Sequence, residues 1–194
     1  DNTFALRIMF KKLAESVKQP VSFSRVTNIV SSTGAKVGKT TIINYIEYAK
    51  DAWLISSLQN IAGKLVEKET NPKYYFTDNG ILNLFLLDGN TSLLENLIAI
   101  NLLRKYGRND AVFFYNKGVE VDFYIPDEAI AIQACYDLDN SDGTFDREVE
   151  ALLKLPSVLE CKKLMIITRD TERMLEIDGN TIEVIPAWKW LLNL

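Results

Sequence analysis

The chain has 194 residues, a formal net charge of −4 and 25% charged residues, which is typical of a folded globular protein. Hydrophobic residues make up 47%, enough for a packed core, and no run of about 18 apolar residues occurs, so we expect no membrane span. The absence of histidine excludes a Ser-His-Asp triad, a Cys-His dyad and a His metal site, and two cysteines are too few for a Cys₄ zinc site. We expect Cys135 and Cys161 to be buried, reduced thiols of a cytoplasmic protein.

Charge is divided unevenly along the chain. Residues 1–78 carry 11 Lys and Arg against 7 Asp and Glu, a net +4, whereas residues 79–194 carry 11 against 19, a net −8. This division favours two domains with different partners, although chance unevenness is an alternative. Because the chain begins at Asp1 rather than with Met, we also expect a further domain on its N-terminal side.

The first 79 residues predict three helices followed by a two-stranded ribbon. Apolar residues recur at helical spacing in three segments: 4–17, 23–30 and 40–52. Strands are predicted over 53–58 and 74–76, with a loop over 59–71 between them. This order is that of a winged helix, in which the third helix usually enters the DNA major groove and the ribbon contacts the backbone.

The segment between the second and third helices imitates a phosphate-binding loop. Gly34 and Gly38 precede Lys39, Thr40 and Thr41, but only three residues separate the glycines where the motif needs four. A phosphate-binding loop also follows a buried strand, whereas the segment before Gly34 looks helical. We therefore predict a turn that leads into the third helix rather than an ATP site.

The remaining residues, 80–194, alternate between helical and strand patterns. Helices are predicted over 82–87, 92–106, 142–155 and 187–192. Strands are predicted over 112–115, 120–125, 129–136, 163–168 and 182–185. Asp78-Asn79-Gly80 is a turn and the predicted domain boundary. The order of elements predicts a mixed α/β fold.

Three positions in this second half follow a known pattern. Glu95 lies in a predicted helix, Asp122 in a predicted strand and Gln133 in the next strand, eleven residues later. The ordering resembles the restriction-endonuclease-like fold, the PD-(D/E)xK nucleases. In that fold, carboxylates from these elements hold Mg²⁺ and a lysine assists the attacking water.

The pattern departs from an active nuclease at two positions. Gln133 stands where the resemblance implies an acid, and Cys135 stands where it implies the lysine. Glu95 and Asp122 remain as catalytic and metal-binding candidates for a weak Mg²⁺ site. We expect Glu120 on the opposite face of its strand.

The site also has a purely structural interpretation. In that alternative, Glu95 is a helix residue paired with Arg147 or Lys105, and Asp122 is a buried acid with satisfied hydrogen bonds. Arg147 is otherwise a candidate to approach the site from its own helix.

The whole chain resembles the C-terminal region of a prokaryotic family of AAA-type ATPases related to the archaeal ATPases. The matching segments are Pro20-Val21-Ser22, residues 41–46, residues 73–80, Leu94-Glu95-Asn96, residues 120–123, Arg147-Glu148 and Ile166-Ile167-Thr168. The resemblance implies a winged helix over 1–79, a restriction-endonuclease-like domain over 80–194, and an ATP-binding module that lies outside this chain.

Three functions remain open. The first is a DNA-binding or regulatory region with a degenerate nuclease-like domain, whose contacts come from the third helix and the wing: Lys36, Lys39, Thr40, Thr41, Asn44, Lys64, Lys68 and Lys73. An ordinary solvated surface is the alternative for these side chains. The second function is a Mg²⁺-dependent nuclease that uses Glu95 and Asp122. The third is a protein-interaction module that couples an ATPase to a client.

Overall fold

The computed structural model describes residues 2–87, 89–107, 111–139 and 143–194. It is a mixed α/β protein, as predicted. No helix within these residues is long and apolar enough to cross a membrane.

Three helices open the chain: α1 Asn2–Glu15, α2 Phe23–Ser32 and α3 Lys39–Asp51. Ser22 caps α2, because its side-chain oxygen accepts a hydrogen bond from Arg25 N at 3.2 Å. The segment that imitates a phosphate-binding loop joins α2 to α3, so a helix rather than a strand precedes it. The prediction of a turn there is confirmed.

A two-stranded antiparallel hairpin follows, formed by β1 Ile55–Leu58 and β2 Lys73–Phe76. The predicted strand start at Trp53 is wrong, because this residue still belongs to the C-terminal cap of α3. The predicted loop over 59–71 contains a short helix, α4 Leu65–Thr70. Its first turn is capped by Glu67, whose Oε2 accepts from Lys64 N at 2.9 Å.

The rest of the chain builds one six-stranded sheet with helices on both faces. Its elements are α5 Asn79–Asn83, α6 Asn90–Tyr106, β3 Phe113–Asn116, β4 Glu120–Ile125, β5 Ile130–Cys135, α7 Thr144–Lys154, β6 Lys163–Thr168, β7 Arg173–Ile177, β8 Asn180–Pro186 and α8 Ala187–Leu192. The strand order is β3-β4-β5-β6-β8-β7. β3 to β5 form an antiparallel meander, and β5, β6 and β8 run parallel.

One prediction in this half is wrong, and one strand was not predicted. The helix expected over 82–87 lies at Asn79–Asn83 instead, because Asp78 caps it by accepting from Ile81 N at 2.9 Å. The segment 173–177, for which no element was predicted, forms β7 and pairs with β8. The predicted start of α7 at Asp142 lies outside the described residues.

Two hydrophobic clusters flank the sheet. The larger joins α1, α2, α3 and the hairpin to α6 and one sheet face, and the smaller lies under α7 on the other face. The hairpin is also tied to the sheet edge, because Ile61 N donates to Phe114 O at 2.9 Å and Phe114 N donates to Gln59 O at 3.1 Å. The larger core therefore runs continuously past residue 79, and the domain boundary predicted there stays a prediction.

Candidate functional site

Glu95 and Asp122 meet at a third residue, Lys73. The Lys73 Nζ lies 3.3 Å from Glu95 Oε1 and 3.0 Å from Asp122 Oδ1. It also lies 3.0 Å from Glu120 Oε1, an ion pair without hydrogen-bond geometry. Lys73 is 0% exposed and Glu95 only 2%. Carboxylates from α6 and β4 thus converge on one buried ammonium group of the hairpin.

Asn96 sets the position of α6 against β2. Its Oδ1 accepts from Phe76 N at 2.8 Å, and its Nδ2 donates to Phe76 O at 2.9 Å and to Asn79 Oδ1 at 2.8 Å. The preceding residue, Glu95, is thereby held against the same strand, where the Tyr75 hydroxyl donates to its Oε1 at 2.8 Å. Because side chains alternate along a strand, Lys73 and Tyr75 share the face that meets Glu95.

Asp122 lies in an irregular part of β4. The β3–β4 register changes between Phe113↔Tyr124 and Tyr115↔Val121, so β4 contains one extra residue there. The carboxylate is fixed from its other side, since Asp122 Oδ2 accepts from Ala134 N at 3.0 Å. Such bulges re-aim side chains and are common beside functional sites.

Gln133 completes the pairing of β4 and β5 with its side chain. Regular pairing ends at Phe123↔Ile132. Beyond it, Gln133 Oε1 accepts from Asp122 N at 2.9 Å, and its Nε2 donates to Glu120 O at 3.0 Å. Both polar atoms of Gln133 are therefore bound to the backbone of β4, and its place in a degenerate nuclease site stays a prediction.

Cys135 lines the same open cleft as Glu95 and Asp122 but is not among the contacts of Lys73. It is 4% exposed, and burial, with the negative charge of Glu148, raises the pKa of its thiol to about 12. A neutral thiol cannot supply the cation that the resemblance implies at this position. Cys135 and Cys161 are both free, as predicted, although Cys161 is only half-buried.

Lys73, Glu95, Glu120 and Asp122 form a carboxylate cluster, in which burial and neighbouring charges shift the pKa values of Glu95 and Lys73. Burial, together with the negative charge of Asp122, raises the pKa of Glu95 to about 8. Burial alone lowers the pKa of Lys73, but the carboxylates around it, Glu95 above all, outweigh burial and hold this pKa well above its usual value. Lys73 is therefore a charged ammonium throughout the physiological pH range.

The cluster forms the wall of an open cleft of about 970 Å³. Glu120, Asp122, Arg147 and Glu148 line it, and burial raises the pKa of Glu148. Arg147 does approach the site from α7, and its guanidinium lies 2.9 Å from Glu148 Oε1. Within the described ranges, no group of three or more His, Cys, Asp or Glu side chains is arranged to hold a metal ion.

Two further predictions need correction. Lys73 is not a surface cation of the wing, because its ammonium is enclosed by carboxylates. Glu120 does not lie on the opposite face from Asp122, because residues two apart on a strand normally share a face and both side chains reach Lys73. The structural interpretation of Glu95 as a paired helix residue fits, but its partner is Lys73 rather than Arg147 or Lys105.

The remaining predicted DNA contacts lie on the surface or near it. Five of them are exposed: Lys36, Lys39, Thr40, Asn44 and Lys64. Thr41 and Lys68 are half-buried, and the Lys68 Nζ lies 5.8 Å from the centre of the Phe113 ring. Their role in DNA binding stays a prediction.

Sequence reasoning missed the roles of Tyr75 and Asn96, and it misplaced Lys73. The available indication was the alternation in Lys73-Tyr74-Tyr75-Phe76, which puts a lysine and a tyrosine hydroxyl on one face of a short apolar strand. Lysine is rarely fully buried unless it is paired, so its burial is evident only once its carboxylate partners are known.

Comparison with known proteins finds similarity to a domain of unknown function, DUF8612, over residues 1–93. The uncharacterized protein MJ1544 of Methanocaldococcus jannaschii is 28% identical over 201 residues that include 99% of this chain. An uncharacterized protein of Haemophilus influenzae is 30% identical over 199 residues, again including 99% of the chain. The chain spans about half the length of these curated relatives, 45% and 47% respectively.

Proposed function

We propose that this chain is a nucleic-acid-binding or regulatory region of a cytoplasmic AAA-type ATPase, and that its nuclease-like domain does not cleave. Three helices followed by a hairpin support a winged helix at the N-terminus. The order α6-β3-β4-β5-α7-β6 supports a restriction-endonuclease-like core after it. Both relatives extend well beyond the region matched by this chain, which leaves room in them for an ATPase module.

One observation carries the non-cleaving part of the proposal: the Lys73 ammonium lies between the carboxylates that a metal would need. It contacts Glu95, Glu120 and Asp122 at 3.0–3.3 Å, so these acids already have a cation between them. The amide of Gln133 is bound to the backbone and is not available as a further ligand. The residues present therefore do not fit the metal centre of an active nuclease of this fold.

The nucleic-acid part of the proposal rests on the exposed residues at the start of α3. Lys36 and Lys39 precede or begin this helix, Asn44 lies on its second turn, and all three are exposed. Cations in such positions bind phosphates, so binding should weaken steeply with salt and depend little on sequence.

Fluorescence anisotropy with a labelled 20-base-pair duplex tests this part. We expect binding at low salt, and a K36Q/K39Q variant should bind more weakly and reduce the salt slope by about 2, one for each lost phosphate contact. K162Q is the matched control, because the Lys162 side chain is 70% exposed on the acidic half of the chain. If the duplex does not bind at low salt, the proposal fails and the protein-interaction module is favoured.

A Mg²⁺-dependent nuclease is the second candidate, and one observation favours it. An ammonium group does stand beside Glu95 and Asp122, although it comes from β2 rather than from position 135. Incubation of supercoiled plasmid with the chain and Mg²⁺ or Mn²⁺ separates the candidates. Nicking that is lost in D122N supports the nuclease, whereas no nicking, or nicking that D122N retains, rejects it.

A further inference from the structure

Trp53 adopts a backbone conformation that bulky residues rarely take, with φ at +58°. Trp53 N donates to Lys50 O at 3.0 Å, and Leu54 N donates to Ala49 O at 2.9 Å. These two bonds close a Schellman motif at the end of α3, and Trp53 occupies the left-handed position where glycine is the usual residue. Tryptophan is therefore strained at a position that glycine fills without strain.

Burial does not compensate for this strain. Trp53 is 65% exposed, so most of its ring faces solvent rather than the hydrophobic core. Residues held in strained backbone conformations cluster at functional sites. The indole ring is thus a candidate for contact with a ligand.

A cavity of about 900 Å³ adjoins this ring, between the end of α3, the hairpin and the C-terminal half of α6. Its described lining includes Lys50, Trp53, Ser56, Leu103 and Arg104. Ser56 is only 6% exposed, and its hydroxyl has no hydrogen-bond partner among the described residues. A buried hydroxyl without a partner is costly, and a ligand with a donor or acceptor would satisfy it.

The lining selects the chemistry of that ligand. Lys50 and Arg104 are its two cations, and Asp51 is the only acid among its described residues. Lys50 also pairs with Glu47 at 3.2 Å, which leaves Arg104 as the stronger anion contact. An aromatic face beside cations and a few polar groups suits a planar ring that carries a negative charge.

We propose that this cavity binds a nucleotide, with its base stacked on Trp53 and its phosphate held by Arg104 and Lys50. Bases stack on exposed aromatic rings whatever their identity, and guanidinium groups pair with phosphate oxygens. The nucleotide is either free in solution or one unit of a single strand. The site is distinct from the predicted duplex contacts at the start of α3, because this helix has 13 residues and its two ends lie about 20 Å apart.

Substitution of glycine for Trp53 tests the proposal, because it should weaken ligand binding without lowering the stability of the fold. Calorimetric titration with adenosine monophosphate, and anisotropy with a labelled 12-residue oligothymidylate, measure binding, while thermal melting measures stability. We expect at least one probe to bind, and W53G to weaken that binding at least tenfold while its melting temperature stays the same or rises. R104Q should weaken the same binding, and adenosine without phosphate should bind at least tenfold more weakly than the monophosphate.

Trp188 provides the matched control, since it is 60% exposed but lies on α8, outside the cavity lining. W188A should leave the binding of both probes unchanged. Binding of the oligonucleotide alone identifies a strand as the source of the nucleotide, and binding of the monophosphate identifies a free nucleotide. The proposal is overturned if neither probe binds at low salt, if W53G binds like the wild type, or if W53G lowers the melting temperature. Loss of duplex binding in K36Q/K39Q leaves these outcomes unaffected, so the two proposals fail separately.

Discussion

Replacement of Lys73 by methionine removes the cation from the carboxylate cluster and leaves an unbranched side chain that is one heavy atom shorter. Removing one partner of a buried ion pair costs about 3–5 kcal/mol, because the other charge stays buried without compensation. In this cluster, Glu95 and Asp122 lose their contacts at 3.3 and 3.0 Å. The Glu120 side chain is 42% exposed, so water screens its contact, which adds less than about 1 kcal/mol.

The loss of unfolding free energy in K73M should depend on pH, because protonation of Glu95 removes its uncompensated negative charge. The raised pKa of Glu95 means that this residue takes up a proton readily in acid. We therefore expect K73M to lose about 4 kcal/mol of unfolding free energy at pH 8 and about 2 kcal/mol at pH 5. For a chain of this length, the loss at pH 8 corresponds to a melting temperature lower by about 10 °C.

Urea unfolding followed by circular dichroism at both pH values measures these differences, with K64M as the matched control. Lys64 is exposed, so K64M should change the unfolding free energy by no more than about 0.5 kcal/mol. A loss in K73M below about 1 kcal/mol at pH 8 would mean that the ammonium does not compensate buried charge. Equal losses at pH 5 and pH 8 would refute the role assigned to Glu95.

Three further changes test other parts of the site. The folded-state pKa of Glu95, about 8, exceeds its ordinary value of 4.5, so the folded state holds this proton more tightly and stability should fall as the pH rises between those values. E95Q removes that dependence, which amounts to at most about 1.4 kcal/mol per pH unit. If the unfolding free energy of the wild type does not fall relative to that of E95Q between these pH values, the raised pKa of Glu95 is contradicted. Q133E should lose about 2–4 kcal/mol at pH 7 in urea unfolding, because a carboxylate cannot donate to Glu120 O, and a neutral effect would show that the amide does not hold β4. N96A should lose about 2–4 kcal/mol by the same assay, because Phe76 N and O are left buried without partners, whereas a loss below about 1 kcal/mol would show that water replaces Asn96.

Hydrophobic periodicity was sufficient to predict most elements of the fold. β4 at Glu120–Ile125 and β6 at Lys163–Thr168 were predicted with their observed bounds, since β4 begins with alternating polar and apolar residues and β6 is a short apolar run. The helix α4 was not predicted, because its six residues include no buried side chain and carry no apolar periodicity. β7 was missed because its pattern is only half-buried and its pairing with β8 forms at the sheet edge.

The site was predictable only in part, because its decisive contacts join distant segments. Glu95 and Asp122 were singled out by the resemblance to the nuclease pattern. The partner that joins them, Lys73, lies 22 and 49 residues earlier in the chain. The role of Gln133 depends on the place where β4 and β5 stop pairing, which alternation of residue types does not reveal.

The protonation state of Lys73 is the most direct test of the account. The chain is labelled with ¹³C and ¹⁵N at lysine, and the ε-carbon resonance of Lys73 is identified as the one that is absent from the K73M spectrum. Its position during a pH titration reports the charge of this ammonium group. We predict that Lys73 remains protonated through pH 10.5, beyond the point where an ordinary lysine has begun to titrate, because the carboxylates around it raise its pKa. A Lys73 resonance that titrates below about pH 9 would mean that burial dominates over the carboxylates, and the cation proposed to fill the nuclease-like site would be absent.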